Sequence, residues 1–501
     1  MKITKNIRKF LNKTKKNYKK TNNIMNLIIS SGLNIPYNSH FNNYKNIIPK
    51  NVFGVFVSVK RSYNNEIHGC IGNFNKNFTN MNNNDIIDKL KQVSYSATNE
   101  DPRKDKFDKL YLDYRSKYEI SFMLNKPLYI NKITGKINNN IYFDNNNYGV
   151  IFIYNNNNSA VYLPKVFKNK SWKYIRNSLL EKNFNKKLSD NEIKLILSDN
   201  KCNFYAYKVK IIEETIFSII NNDYITYIHN NFIIHINKNI DNFVLYALDN
   251  NKKIIDKTQY VRNSGMLYTI SFFYNNLNNN LKNILIQNLI YYLNIFINNN
   301  KKMRQSVPFL ILCIKNLEKY FNKKYKKIFT KFKKKLIKYL ENEIIKNDNI
   351  DKNFELGEIC MALNIVKSNK NLLKKVDNIM FNSIKYEKLT IDSIFRINWH
   401  IKFLYNNPYN IIYNKHHKEY LKKNIEIICE KLDVNYETNY LAVGFEALAT
   451  YKSNRKDLLF KLFYLLQKRY SNGLYYFKDM SYARYDITGH VIDGLNKFLY
   501  T

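Results

Sequence analysis

The segment Ile67-His68-Gly69-Cys70-Ile71-Gly72 decides how the first half of the chain is read. It follows Val52-Phe53-Gly54-Val55-Phe56-Val57-Ser58-Val59, a run of β-branched and aromatic residues, across the polar stretch Ser62-Tyr63-Asn64-Asn65. This pattern predicts a buried strand, a turn and a returning strand. Side chains repeat every second residue on a strand, so His68 and Cys70 are expected on one face. The glycines beside them leave room for a closely approaching backbone or ligand. Cys70 then has two readings. In one it is a nucleophile or redox thiol activated by an imidazolium at His68. In the other, preferred because no third orienting residue is visible, it packs in a glycine-tight strand.

Working outward, helices are expected through Ile24 to Ile29 and Asp85 to Ala97, and a turn at Asp101-Pro102-Arg103. Asp101 and Arg103 are read as bracing that turn against the hexapeptide. Strands follow at Tyr118 to Leu124, Tyr148 to Tyr154 and Ser159 to Leu163, then a helix at Trp172 to Leu180 and a closing strand at Phe204 to Ile211. Residues 21–215 therefore read as an α+β domain, a mixed sheet with flanking helices. Residues 1–20 carry nine basic side chains and no acid, and read as a basic tail.

In their order and spacing, Gly54 to Val57, the HGCIG segment, Ser96-Ala97, Asp101-Pro102-Arg103, Tyr118 to Leu124, Tyr162-Leu163-Pro164 and Trp172 resemble the AMMECR-type domain, also called AmmeMemoRadiSam system protein A. The resemblance covers about residues 20–215. It implies a compact α+β fold with a cleft near the GCIG segment, no established activity, and association with a Memo-like protein or a radical-SAM protein. That family usually has arginine where this chain has His68, and phenylalanine where it has Lys104. Those departures leave the implied fold intact, and no role of the family's arginine is carried over to His68.

From about residue 255 the periodicity turns helical and repeats. Small apolar helices begin near Gly265, Pro308, Gly357, Asn398, Gly444 and Gly489, at intervals of 43, 49, 41, 46 and 45 residues. One helical hairpin per repeat fits that period. Between them lie lysine-rich amphipathic helices such as Phe321 to Leu340. Six hairpins predict an (α/α) toroid over 256–501, with 216–255 a linker or hairpin; an open solenoid is the competing architecture. The pattern resembles the six-hairpin toroids of glycosidases and terpenoid cyclases at the level of fold alone, and lends no catalytic residues.

The 501 residues carry a formal net charge of +41 from 81 Lys plus Arg, of which 11 are arginine. Lysine rises together with Asn, Ile, Tyr and Phe, as in a compositionally biased chain, so solvated lysine faces are preferred over a nucleic-acid surface. RNA binding through the tail stays open as a third reading. Five cysteines without a CxxC pair offer neither a disulfide framework nor a zinc site, and no metal-ligand spacing occurs. A reducing, cytoplasmic setting is expected. The most apolar stretch, Ile284 to Ile297, is interrupted by Gln287, Asn288 and Asn294, so no membrane span is expected. No cofactor is indicated.

Arginine is scarce, which makes its positions informative. Arg262, Arg304, Arg396 and Arg484 lie at or near the starts of inner helices, where the helix dipole disfavours cations. Glu355, Glu358, Asp392, Glu437 and Asp486 occupy similar positions. In a toroid these ends converge on one mouth. The functional reading is a pocket for a polar or anionic small molecule or glycan, clamped by arginine, with Glu358 and Asp486 as acid and base. The plainer reading is ion pairing that pins the hairpin ends. His490 and His400 are read as satisfied core histidines. The leading expectation is an enzyme on a polar small molecule or glycan; the rival is a non-catalytic binding or scaffold protein. Within the first domain the ligand-binding candidates are His68, Cys70, Asp101 and Arg103.

Overall fold

The computed structural model describes the chain except residues 1–23, 38–46, 62–65, 75–80, 107–112, 156–157, 168, 242, 244–246, 250–251, 347–361, 363–368, 386–387, 406–414 and 500–501. The chain divides into two compact units, Met1–Ile219 and Ile220–Thr501.

The first unit opens with helix α1 (24–33) and the hairpin β1 (Val52–Lys60) and β2 (Ile67–Phe74). Helix α2 (Asn83–Asn99) follows, started by a capping box in which Asn82 and Asp85 satisfy each other's backbone N–H groups. Then come β3 (Lys117–Ile130), the two-residue strands β4 (Lys136–Ile137) and β5 (Ile141–Tyr142), β6 (Gly149–Tyr154) and β7 (Asn158–Tyr162). Helices α3 (Trp172–Phe184) and α4 (Asp190–Ser198) precede the last strand, β8 (Cys202–Thr215). The sheet runs β2-β1-β3-β8-β6-β7, with β4 and β5 appended to β3. The sequence pattern led us to expect a mixed sheet; every described pairing in it is antiparallel.

Alternation sorts this sheet into two faces. Val55, Val57 and Val59 of β1 and Tyr118, Ile120 and Phe122 of β3 are buried, and α2 packs on the hairpin. At the other end α3 and α4 cover Val150, Phe152, Phe204 and Ala206. Trp172 meets the Phe204 ring edge-on at 5.4 Å. The opposite face carries Phe56, Met123, Ile151 and Tyr207, with Cys70 packed against them.

The second unit is helix-rich. Residues 216–255, expected as a linker or hairpin, hold helix α5 (Asn222–Asn239) and the hairpin β9 (Ala247–Asp249) and β10 (Lys252–Ile254). After them come α6 (Tyr260–Ser271), α7 (Asn279–Asn298), α8 (Val307–Leu317), α9 (Lys323–Lys346), α10 (Lys370–Lys385), α11 (Ser393–Tyr405), α12 (Lys415–Lys431), α13 (Thr438–Thr450) and α14 (Lys456–Gln467). The unit ends with the strand pair β11 (Tyr470–Ser471) and β12 (Leu474–Tyr475), strand β13 (Tyr482–Arg484) and helix α15 (Tyr485–Leu499). Strand β13 pairs with β9, tying the end of the chain to the start of the unit.

Small residues let helices pack closely. Helix α6 packs against α8 and α15, α13 against α11 and α15, and Gly494 of α15 leaves space that Phe445 and the Glu446 backbone of α13 fill. Helix α9 shows the amphipathic division expected of it, with Phe329, Leu336, Leu340 and Ile344 fully buried and Lys324, Lys327, Lys331 and Lys335 exposed. The inner helix expected near Gly357, which holds Glu358, lies outside the described residues, as do Glu355 and Cys360.

Candidate functional site

In the first unit the HGCIG hairpin departs from regular alternation. Val59 pairs with Gly69 and Lys60 with Ile67, so His68 is the extra residue of a β-bulge. The bulge separates the two side chains expected on one face. His68 is turned toward α2, with Nε2 3.2 Å from the Thr98 carbonyl and Nδ1 3.3 Å from Arg61 Nη2. Gly69 lies against the same helix, where a Cβ would sit 1.8 Å from the Ala97 carbonyl oxygen. Cys70 points to the opposite face and receives a 3.1 Å hydrogen bond from Ser58 Oγ.

Neither group is prepared for nucleophilic chemistry. Burial lowers the pKa of His68, with Arg61 adding to the effect, so the imidazole is neutral and spent on Thr98 and Arg61. Burial pushes the Cys70 thiol up, which disfavours thiolate. Asp101 and Arg103 tie the turn to the strand. Cys70 N–H donates to Asp101 Oδ2 at 2.9 Å, and Arg103 grips the same carboxylate through Nε at 2.8 Å and Nη2 at 2.6 Å. Arg103 Nη2 also reaches the Cys70 carbonyl at 3.4 Å. Burial alone raises the Asp101 pKa, but Arg103 and two backbone N–H groups outweigh it and hold it at about 2. These contacts make a rigid corner.

The second unit contains a cavity of about 270 Å³ walled by α6, α8, α11, α13 and α15. Arg262, Arg484 and Asp486, three of the residues expected at the mouth, line it. Arg484 Nε donates to Asp486 Oδ1 at 2.9 Å and Nη2 pairs with Oδ2, a bidentate clasp that answers the cation's unfavourable place at a helix start. Arg262 lies close enough to both that Arg484 lowers its pKa, after burial, and Asp486 raises it. Two others go elsewhere. Arg304 meets Glu343 at 3.5 Å, and Arg396 is half-buried on α11 without lining the cavity. Asp392 accepts a 2.6 Å hydrogen bond from Tyr440, and Glu437 is the N-cap residue of α13.

The most concentrated chemistry in the cavity comes from residues outside the expected set. Lys402 Nζ lies 2.7 Å from Glu446 Oε1 and 2.8 Å from Asp493 Oδ2, and 4.4 Å from the centre of the Trp399 ring. Glu446 Oε2 takes 2.7 Å and 2.9 Å contacts from Asn398 Nδ2 and His490 Nδ1. Lys402, Glu446 and Asp493 are all buried, yet all line the cavity. Burial raises the Glu446 pKa, but Lys402 and His490 override it and keep Glu446 ionised. Asp493 goes the other way: burial, the Glu446 charge and a hydrogen bond with Glu446 raise its pKa against the opposing pull of Lys402. Lys402 stays charged because the two carboxyls outweigh its burial. The sequence did hold a signal for these residues. Each is a lone charge inside an apolar helical run: Trp399-His400-Ile401-Lys402-Phe403, Val443-Gly444-Phe445-Glu446-Ala447 and Val491-Ile492-Asp493-Gly494.

Tyr268, Phe272, Phe309, Phe395 and Trp399 supply aromatic walls. His400, also on α11, does not line the cavity; its Nε2 lies 2.7 Å from Asp377 Oδ1, and His417 Nδ1 contacts the other oxygen at 3.1 Å. Among the described residues no cluster of three or more His, Cys, Asp or Glu suits a metal, and no helix is long and apolar enough to cross a membrane.

The first unit is thus an α+β domain whose antiparallel sheet is locked to α2 by a bulged, glycine-tight hairpin and an Asp-Pro-Arg corner. Residues 7–212 match the family model described as AMMECR1, and the chain carries an AMMECR1 domain over that span. The chain matches no curated protein and no solved structure.

Proposed function

We propose that residues 220–501 form a six-hairpin (α/α) toroid whose pocket binds a polar, anionic ring compound and acts on it by acid–base chemistry. The contacts α6–α8, α11–α13, α13–α15 and α15–α6 support closure, since the first and last inner helices are neighbours. One observation carries the functional reading: a single cavity holds two guanidiniums beside one carboxylate, aromatic walls, and a buried Lys402–Glu446–Asp493 group. Guanidiniums lining a cavity suit an anionic group, aromatic faces suit a ring, and carboxyls with opposed pKa shifts suit proton transfer.

A second reading has its own support. Arg484 and Asp486 satisfy each other, as do Lys402 and its two carboxyls, and a set of closed ion pairs also fits a non-catalytic binding or scaffold unit. A thermal-shift screen of sugar acids, neutral sugars and other polar compounds, on wild type and Arg262→Gln, separates the two. Acid-bearing ring compounds are expected to raise the wild-type melting temperature and to lose that effect in the variant. No shift with any compound contradicts the pocket reading.

A further inference from the structure

Helix α9 carries a lysine ridge that is independent of the pocket. Nine of the sixteen residues from 323 to 338 are lysine, and no acid occurs between Glu318 and Glu341. The chain holds 70 lysines in 501 residues, a share that would place two or three in a stretch of that length. With 3.6 residues per turn, Lys323, Lys324, Lys327, Lys331, Lys334, Lys335 and Lys338 fall within one sector about 120° wide. That sector lies opposite the buried Phe329, Leu336, Leu340 and Ile344, and all seven lysines are exposed. Among the described residues none of the seven meets a carboxylate. The nearest acid along the chain, Glu318, pairs instead with Lys333 and Lys315.

This order works against the helix that carries it. Lys323, Lys327, Lys331 and Lys335 succeed one another at i,i+4, as do Lys334 and Lys338, and like charges at that spacing destabilise a helix. Lys323, Lys324, Lys326 and Lys327 stand in the opening turns, where the dipole disfavours cations, and Glu341 and Glu343 stand near the end, where it disfavours anions. Solubility requires neither the crowding of lysine nor the absence of acid. An external polyanion relieves both penalties.

We propose that the ridge lies along the phosphate backbone of a nucleic-acid duplex and holds it without regard to sequence. Fifteen residues of rise span about 22 Å, so the seven charges stand about one per 3–4 Å, close to the one phosphate per about 3.4 Å of axis along a duplex strand. Residues 323–338 contain no arginine, asparagine or glutamine to read base edges. The ridge sector holds no aromatic side chain, which stacking of unpaired bases requires. An anionic bilayer fits less well, because the apolar face that would enter it is buried within the unit and the lysines form a line rather than a plane.

The test measures binding of the full chain, across a salt series, to a 20-base-pair DNA duplex, an RNA duplex of the same sequence and phosphatidylserine vesicles. Wild type is compared with the ridge variant Lys327→Gln/Lys331→Gln/Lys334→Gln/Lys338→Gln. The control, Lys165→Gln/Lys173→Gln/Lys187→Gln/Lys194→Gln, removes the same charge from four exposed lysines of the first unit. Each lysine–phosphate contact adds about 0.9 to the slope of log affinity against log salt, so the ridge variant should lose about 3–4 of slope on a duplex and the control less than about 1. The duplex that shows the larger loss identifies the source as DNA or RNA. A duplex of scrambled sequence should bind equally well; a clear preference for one sequence overturns the backbone reading. A ridge variant that loses no more slope than the control overturns the proposal, and a loss confined to vesicles overturns it in favour of an anionic membrane. The ridge variant should also melt at or above the wild-type temperature, since like charges are relieved. A lower melting temperature means that these lysines are paired within the protein, and overturns the free ridge.

Discussion

Replacing Lys402 by methionine keeps an unbranched apolar stem while removing the Nζ over the Trp399 ring and the charge that two buried carboxyls share. Nζ stands 2.7 Å from Glu446 and 2.8 Å from Asp493, and the lysine side chain is only 3% exposed. Its loss leaves Glu446, fully buried, with Asn398, His490 and Asp493 as polar contacts but without the lysine charge. Breaking a buried pair by removing one partner costs about 3–5 kcal/mol, because the charge left behind is uncompensated. For a unit of this size each kcal/mol moves the melting temperature by about 2–4 °C, so a fall of about 6–20 °C is expected by calorimetry. The double variant Lys402→Met/Glu446→Gln should recover part of this, since the orphaned charge is gone. A loss below about 1 kcal/mol, or a double variant no more stable than the single one, would refute the argument that Lys402 is the counter-ion of a dry carboxyl pair.

Other consequences concern the AMMECR1 domain. Gly69→Ala drives a methyl into the Ala97 carbonyl, a backbone atom that cannot yield, and should cost about 1–3 kcal/mol in urea unfolding; a neutral result would mean that α2 moves freely on the hairpin. With its folded pKa at about 2 against an ordinary 3.8, Asp101 adds about 2 kcal/mol, fully present above about pH 4 and lost as the pH falls through about 2. Asp101→Asn should therefore lower stability at neutral pH and flatten the acid limb between pH 4 and 2, measured as unfolding free energy against pH. Cys70, with its thiol pKa raised, should be alkylated at pH 7 more slowly than a free thiol; reaction at or above the free-thiol rate would revive the nucleophile reading.

Much of the first unit was legible because its signals are local. Strands β1 and β6 are β-branched runs bounded by turn residues, and α2 carries its cap in Asn82 and Asp85. The bulge at His68 was not, because register is set between strands and nothing in the hexapeptide marks which residue will be extra. In the second unit, apolar period and small residues located α6, α8, α11, α13 and α15, and scarcity of arginine pointed to Arg262 and Arg484. It pointed equally to Arg304 and Arg396, since position along a helix start does not say which way a side chain turns. Lys402, Glu446 and Asp493 were overlooked for a different reason. These charges sit inside helices, away from the ends where arginine and carboxylates cluster in the sequence, and become one group only when α11, α13 and α15 meet.

The most direct measurement is a crystal structure of the full chain soaked with D-glucuronate. The sugar is expected within the cavity, its carboxylate toward Arg262 and Arg484. An empty cavity beside a saturating concentration of the acid, or a sugar seated away from both residues, would contradict it.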